Sequence, residues 1–331
     1  MKIAIIGSGN IGSLLGALLV DAGQDVTLVE LREDIVAAVQ EGGVTIDMSD
    51  GKSLHAAVKI TKDVQTVGVA DLVVLAVKSN ATREAMAGAR GLVGEHTWVM
   101  SVQNGAGNVE SIVEVLGDDS RVIGGVFFCV VTPLSLNRLS WVVGTGGLKI
   151  GPASGVVSPD VDEIADIFRS AGLDVVVSDN VQQLIWSKVL QNVPLALGTA
   201  MRLTNDEYAA YPHARELILK MAEECVAVTT AAGITLEAPK GPAPAAGSAQ
   251  AGGSAPATDP IQGLLDTIQK FHDSGTKPKC SMLQDLEKGR RTEIDSINGS
   301  IVREGKRLGI PTPVNEVMVA LVKVQEEKNC S

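Results

Sequence analysis

The chain has no basic stripe and no extended run of Lys or Arg. Its 28 basic residues are outnumbered by 39 acidic ones, for a formal charge of -11. Nothing in it would neutralise a phosphate backbone, and nucleic acid is not an expected partner. Cysteine is scarce: Cys129, Cys225, Cys280 and Cys330 show no C-x-x-C spacing, which argues against a disulfide framework or zinc site and leaves reduced thiols. A long hydrophobic run is also missing. Met1-Lys2 lead straight into a short apolar segment that stops at Gly7, so neither a signal peptide nor a membrane span is expected, and the expected location is cytoplasmic. What remains is a 331-residue chain, 45% hydrophobic, long enough for two domains with full cores.

From Lys2 to about Val177, short apolar segments alternate with helical patterns, as in a parallel sheet covered by helices. The predicted strands are Lys2 to Ile6, Asp25 to Val29, Leu72 to Val77, Trp98 to Val102, Val122 to Phe128 and Asp174 to Val177. Between the second and third, Val44 to Ile60 reads as an inserted hairpin turning at Asp50-Gly51. After Ser178 long helical patterns take over, starting with Val181 to Ala200 and ending in a helix from Pro313 that Thr312 is expected to cap. Residues 238–260 interrupt them with Pro, Ala, Gly and Ser. That composition buries too little apolar surface to order itself, so a flexible surface loop is expected.

The first strand runs into Gly7-Ser8-Gly9-Asn10-Ile11-Gly12, followed by an apolar helix from Ile11 to Ala22. In such a turn the first glycine makes the tight bend, the second lets backbone approach a pyrophosphate, and the third lets the helix pack on the strand. The helix N-terminus then faces the phosphates. The motif is weak alone, but here it lies between a strand and a helix, and an acid closes the next strand, which together make a dinucleotide-binding βαβ unit. That acid, Glu30, is placed to accept the adenosine ribose hydroxyls and to repel a 2′-phosphate, favouring NAD(H). Arg32 has the charge to pair with a 2′-phosphate and keeps NADP(H) open. Lys78 and Asn104 fall just past the carboxyl ends of two strands, the edge at which open α/β sheets bind ligands. The expected fold is α/β: a Rossmann-type dinucleotide-binding domain over residues 1–178, then an all-helical substrate and dimerisation domain over 179–331.

Lys188 and Asn192 lie four residues apart and share one face of an otherwise apolar helix, so they must be solvated or partnered. Pro194 removes a helical N–H and should kink or break that helix. Further on, Ser281 and Glu293 bracket a polar run. As one helix they would stand roughly 18 Å apart, too far to share a small substrate. Gly289 is expected to end a first helix, and Thr292-x-x-Asp295 to cap a second with Glu293 in its first turn.

Together these residues resemble the ketopantoate reductase (2-dehydropantoate 2-reductase) family, over nearly the whole chain except 238–260. The matching pieces are Gly7 to Gly12, Lys78, Gln103-Asn104-Gly105, Trp186-Ser187-Lys188 with Asn192, and Ser281-Met282-Leu283-Gln284-Asp285 through Arg291-Thr292-Glu293-Ile294-Asp295-Ser296-Ile297-Asn298-Gly299. The resemblance implies nicotinamide-dependent reduction of a 2-oxo acid, 2-dehydropantoate or a relative, to the D-2-hydroxy acid. It makes Lys188 the general acid, stabilising the developing alkoxide, and Glu293 its ionised partner. It implies that Asn104 holds Lys188 or the nicotinamide ribose, that Asn192 and Ser281 hydrogen-bond substrate, and that Lys78 lies beside the cofactor.

Two positions depart from the family pattern. Leu31 stands where NADPH-using members commonly carry Arg, which adds to the NAD(H) reading. Ala196 stands where typical members place a second substrate-binding Asn, and losing such a bond changes which hydroxyl is recognised. Both changes resemble the D-mandelate dehydrogenase-like branch, which uses NAD and 2-hydroxy acids without a hydroxymethyl arm. Other readings are a non-catalytic NAD(H)-sensing protein and a dehydrogenase acting on an imine or opine. A homodimer is expected from the apolar faces of the helical domain.

Overall fold

Strands buried on both faces read as near-continuous Val, Ile and Leu runs, and Ile3–Ile6 and Leu72–Leu75 are buried at every position. The computed structural model describes residues 1–143, 147–238, 259–273 and 279–329. The chain divides into two units, Met1–Gln103 with Asn108–Val181, and Asn104–Gly107 with Gln182–Ser331.

The first unit contains β1 (Lys2–Ile6), α1 (Asn10–Asp21), β2 (Asp25–Val29), α2 (Glu33–Gly42), β3 (Val44–Met48), β4 (Ser53–Ala56), β5 (Lys59–Thr61), β6 (Leu72–Leu75), α3 (Thr82–Gly88), β7 (Trp98–Ser101), α4 (Asn108–Leu116), β8 (Val122–Phe127), β9 (Val130–Pro133), β10 (Arg138–Val142), β11 (Leu148–Pro152), α5 (Pro159–Ser170) and β12 (Val175–Val177). The main sheet runs β12-β11-β8-β7-β6-β1-β2-β5. Every strand expected in it forms, four of them ending or starting a residue or two short. Leu14, Leu15, Leu19 and Phe168 are fully buried with Ile3, Ile5, Leu28 and Leu72 in its core. Each such side chain contributes about 1.5–3 kcal/mol relative to exposure.

The sheet is not wholly parallel, because β11 runs antiparallel to β8. Parallel neighbours need a crossover, usually a helix; here the chain returns from Phe127 to Leu148 through β9 and β10 instead. The predicted hairpin forms as β3 and β4, with Ile46 opposite Leu54. It is no isolated insertion: β3 pairs in parallel with β10, giving a second sheet ordered β4-β3-β10-β9.

The second unit contains α6 (Val181–Asn192), α7 (Pro194–Met201), α8 (Asn205–Ala210), α9 (Pro212–Ala231), α10 (Pro260–Asp273), α11 (Ser281–Glu287), α12 (Asn298–Leu308) and α13 (Pro313–Asn329). The helical pattern from Val181 breaks at Val193, where Pro194 becomes the first residue of α7. Thr312 does not cap α13; its hydroxyl is buried without a hydrogen-bond partner. A carboxylate from α9 replaces it, the two oxygens of Glu224 accepting the Val314 N–H at 2.8 Å and the Asn315 N–H at 2.9 Å. A charged acceptor satisfies two otherwise orphaned donors and complements the helix dipole. The loop expected at 238–260 lies, apart from its ends, outside the described residues; Pro260 opens α10. Among the described residues no helix is long and apolar enough to cross a membrane.

Candidate active site

In the first unit the turn between β1 and α1 is shaped by what side chains would strike. Gly7 has φ +99°, and a Cβ there would sit 2.9 Å from the Val77 backbone nitrogen. A Cβ on Gly12 would lie 1.9 Å from the Gly7 carbonyl oxygen. At Gly9 a Cβ would meet nothing within 4 Å, so packing does not demand glycine there. It leaves a space, beside the uncapped start of α1, that a side chain would fill. Half-buried Asn10 and Ile11 follow. Free helical N–H groups beside such a space form an anion cradle, and these residues fit a dinucleotide pyrophosphate. Buried Ser8 braces the turn: its hydroxyl lies 2.9 Å from that of Ser13, which donates to the Ser8 carbonyl at 3.0 Å.

Glu30 follows directly on β2. Its two carboxylate oxygens accept the Ser8 and Arg32 backbone N–H groups, each at 3.0 Å. Leu31 is 77% exposed. The Arg32 guanidinium is engaged with Asp34, Nε at 3.2 Å and Nη2 at 2.5 Å. Lys62 pairs with Glu33, and the adjoining Thr61 carbonyl accepts the Glu30 N–H at 3.0 Å.

Lys78 is exposed, three residues beyond β6. Its turn is held from β7 by buried Gln103, whose Nε2 donates to the Val77 carbonyl at 2.9 Å and to the Thr82 hydroxyl at 2.8 Å. The sequence showed Gln103 only as part of a motif; its bracing role depends on two strands being neighbours.

The second unit carries Lys188 and Asn192 on α6, both half-buried. Beside Lys188, the Ser187 hydroxyl accepts the Glu237 N–H at 2.8 Å. Glu293 is 5% exposed, but it does not sit in a helical first turn. Glu293 is at a bend, residues 294–297 form turns, and α12 starts only at Asn298. The Thr292 hydroxyl does accept the Ile294 N–H, at 3.2 Å, yet Ser296 and Ile297 both donate back to the Glu293 carbonyl, so the chain coils before it can run as a helix. Glu326 of α13 accepts the Thr292 N–H at 2.6 Å.

Asn104 belongs to this same unit. The Ala106 N–H donates to the Ser296 carbonyl at 2.9 Å, and a Cβ on Gly105 would meet that oxygen at 2.4 Å. The Asn104 segment is thereby seated on the turn that carries Glu293. Ser281 is the exposed first residue of α11, after Gly289 has separated that helix from the Glu293 turn. Cys280 caps it, its sulfur accepting the Leu283 N–H at 3.4 Å. Asn298, fully buried, donates to the Val193 carbonyl at 3.4 Å and to Asn315 Oδ1 at 2.9 Å. It thus ties the break after Asn192 to α12 and α13. A buried Asn in the motif was the only sequence sign of this link.

A glycine turn feeding an open α/β sheet, followed by a helical unit bearing a half-buried lysine and a buried glutamate, defines a Rossmann-type oxidoreductase with a helical C-terminal domain. The chain belongs to the ketopantoate reductase family. The model "Ketopantoate reductase PanE/ApbA" matches residues 3–155, and "Ketopantoate reductase PanE/ApbA C terminal" matches 180–326. The chain is 32% identical over 327 residues to the 2-dehydropantoate 2-reductase of Pyrococcus abyssi and 30% identical over 329 to that of Pyrococcus horikoshii, with 98% of each chain covered. Among solved structures it resembles the PanE/ApbA family ketopantoate reductase from Ralstonia eutropha JMP134 at 29% identity and TM-score 0.84, covering 100% of both chains. It shares its fold with a D-mandelate dehydrogenase solved with NADH and anilino(oxo)acetate, at 24% identity and TM-score 0.86, again over 100% of both chains.

Proposed function

We propose that this protein reduces 2-dehydropantoate, or a closely related 2-oxo acid, to the D-2-hydroxy acid, using a pyridine nucleotide held by the turn from Gly7 to Gly12, Glu30 and Lys78. The observation that carries this reading is that half-buried Lys188, buried Glu293 and the Asn104 segment belong to one unit, with the last two joined through Ser296. A pyridine nucleotide bound there would supply the hydride that the substrate carbonyl carbon receives. Lys188 stabilises the negative charge growing on the carbonyl oxygen and gives that oxygen its proton. Glu293 positions substrate and shapes the electrostatics around the lysine, Asn104 holds the lysine or the nicotinamide ribose, and Asn192 and Ser281 bind the substrate's oxygens.

NAD(H) is the preferred coenzyme in this reading. Its support is Glu30 at the end of β2, exposed Leu31 after it, and an Arg32 already paired with Asp34. A second reading, a D-2-hydroxy acid dehydrogenase of the mandelate type, draws support from fully buried Ala196, which offers no side-chain hydrogen bond to a substrate hydroxyl. A homodimer and a cytoplasmic location complete the proposal. The exposed row Val317, Leu321 and Val324 on α13 supports the dimer, and a monomer mass by light scattering would remove it. The deciding experiment is a rate screen of NADH and NADPH against 2-dehydropantoate, 2-oxoisovalerate, phenylpyruvate and benzoylformate. Fastest turnover of 2-dehydropantoate supports the first reading and of benzoylformate the second; no oxidation of either coenzyme with any acid overturns both.

A further inference from the structure

Two cations flank Glu30 in the first unit. Arg32 stands two residues along the chain, and Lys62 follows Thr61, whose carbonyl receives the Glu30 N–H at 3.0 Å. A strand-end acid with two such neighbours is an ambiguous site: arginine and lysine there are the groups that would hold a 2′-phosphate. Each, however, is engaged by an acid from the first turn of α2. Asp34 takes the Arg32 guanidinium through two nitrogens, while Lys62 pairs with Glu33. The Arg32 guanidinium holds the Asp34 carboxyl below the usual carboxylate range, and Lys62 does the same to Glu33.

We infer that Glu33 and Asp34 are specificity-determining residues that keep Arg32 and Lys62 from receiving a 2′-phosphate. This deepens the NAD(H) reading and rests on it. The geometry explains why both acids are needed. Glu30, Glu33 and Asp34 against Arg32 and Lys62 leave the cluster with one net negative charge; without the two α2 acids it would carry one net positive charge, beside a ribose whose phosphate is a dianion. Surface pairs of this kind are individually weak, so the acids act by balancing charge and occupying donors rather than by locking side chains. Both lie at the start of α2, where carboxylates also suit the helix dipole. The substitutions that test the inference give up that dipole interaction and a weak surface pair each, a small loss for the fold.

The test uses Glu33→Gln, Asp34→Asn and the double variant of the full chain. Asp34→Asn keeps an oxygen for the Ile35 N–H that Asp34 accepts at 3.0 Å. Calorimetry at low ionic strength compares 5′-AMP with adenosine 2′,5′-bisphosphate, and NADH with NADPH. In the double variant the bisphosphate should bind about tenfold tighter than in the unaltered chain, with 5′-AMP unchanged. The gain should fade as salt is added. Bisphosphate affinity unmoved in the double variant, or both nucleotides tightening in parallel, overturns the inference while leaving the NAD(H) reading intact. An unaltered chain that binds NADPH more tightly than NADH defeats that reading and the inference with it.

Discussion

The Ser8 N–H donates to Glu30 Oε2 at 3.0 Å, fastening the carboxylate that follows β2 to the second residue of the glycine turn. One side chain therefore fastens the glycine turn and, in the proposed NAD(H) site, is the group that would meet the ribose. Glu30→Ala should weaken NADH binding about tenfold, the scale of hydrogen bonds to a charged group. Glu30→Gln keeps an acceptor but no charge, and should move the NADH/NADPH ratio of dissociation constants towards NADPH with a smaller loss for NADH. Fluorescence titration of both coenzymes reads this. An equal loss for both would assign Glu30 to the turn alone.

Lys188→Ala should lower kcat about 10²–10⁴-fold, the range for removing a general acid, with coenzyme affinity little changed because the proposed coenzyme contacts are the turn from Gly7 to Gly12, Glu30 and Lys78. Lys188→Arg keeps the charge but gives up its proton far less readily, so it should recover substrate affinity before it recovers turnover. Steady-state kinetics with coenzyme titrations separate the two effects. Wild-type turnover in Lys188→Ala would remove the proposed mechanism.

The local features were readable in the sequence. β1, its turn and α1 follow from a glycine pattern set between apolar runs, the break at Val193 from Pro194, and the end of α11 from Gly289. What escaped depends on partners distant in the chain. β10 joins β3 across about ninety residues, and its short, half-exposed alternation is broken by loops, leaving no strong local signal. The antiparallel β11 is invisible to a pattern that reports burial but not direction. Glu293 was marked by residue type and placed in the wrong local structure: Ser296 and Ile297 close a turn on its carbonyl, and the distant partner that holds its start is Glu326 of α13, which accepts the Thr292 N–H. Likewise Thr312 carries the right chemistry for a cap, and Glu224, nearly ninety residues earlier, takes the role.

That substitution of caps is itself testable. Glu224 receives the Val314 and Asn315 N–H groups and the Asn315 amide at 2.7 Å, so Glu224→Ala should cost about 1–3 kcal/mol by leaving buried donors unmet. Thr312→Val removes a hydroxyl that has no partner and should be neutral or slightly stabilising. Urea unfolding compares them. A larger loss for Thr312→Val than for Glu224→Ala would restore Thr312 as the cap.

The cysteines should differ in reactivity according to burial. The nucleophile is the thiolate, and desolvation disfavours it. Burial pushes the Cys225 thiol up to about 12, so at pH 8 it is almost wholly protonated as well as shielded. The Cys280 thiol is also raised by burial, with partial relief from the Thr199 hydroxyl at 3.5 Å and the Leu283 N–H. Cys129 is half-buried. In a Cys330→Ser background, an alkylating reagent at pH 8 should therefore label Cys129 first, Cys280 slowly, and Cys225 only after denaturant is added. Raising the pH to 9.5 should still leave Cys225 unlabelled, since that pH is well below its pKa. Peptide mass spectrometry over a time course resolves the three sites. Native-state labelling of Cys225 at the rate of Cys129 would show that the core around α9 opens readily, contrary to the full burial of Met221, Cys225 and Val228.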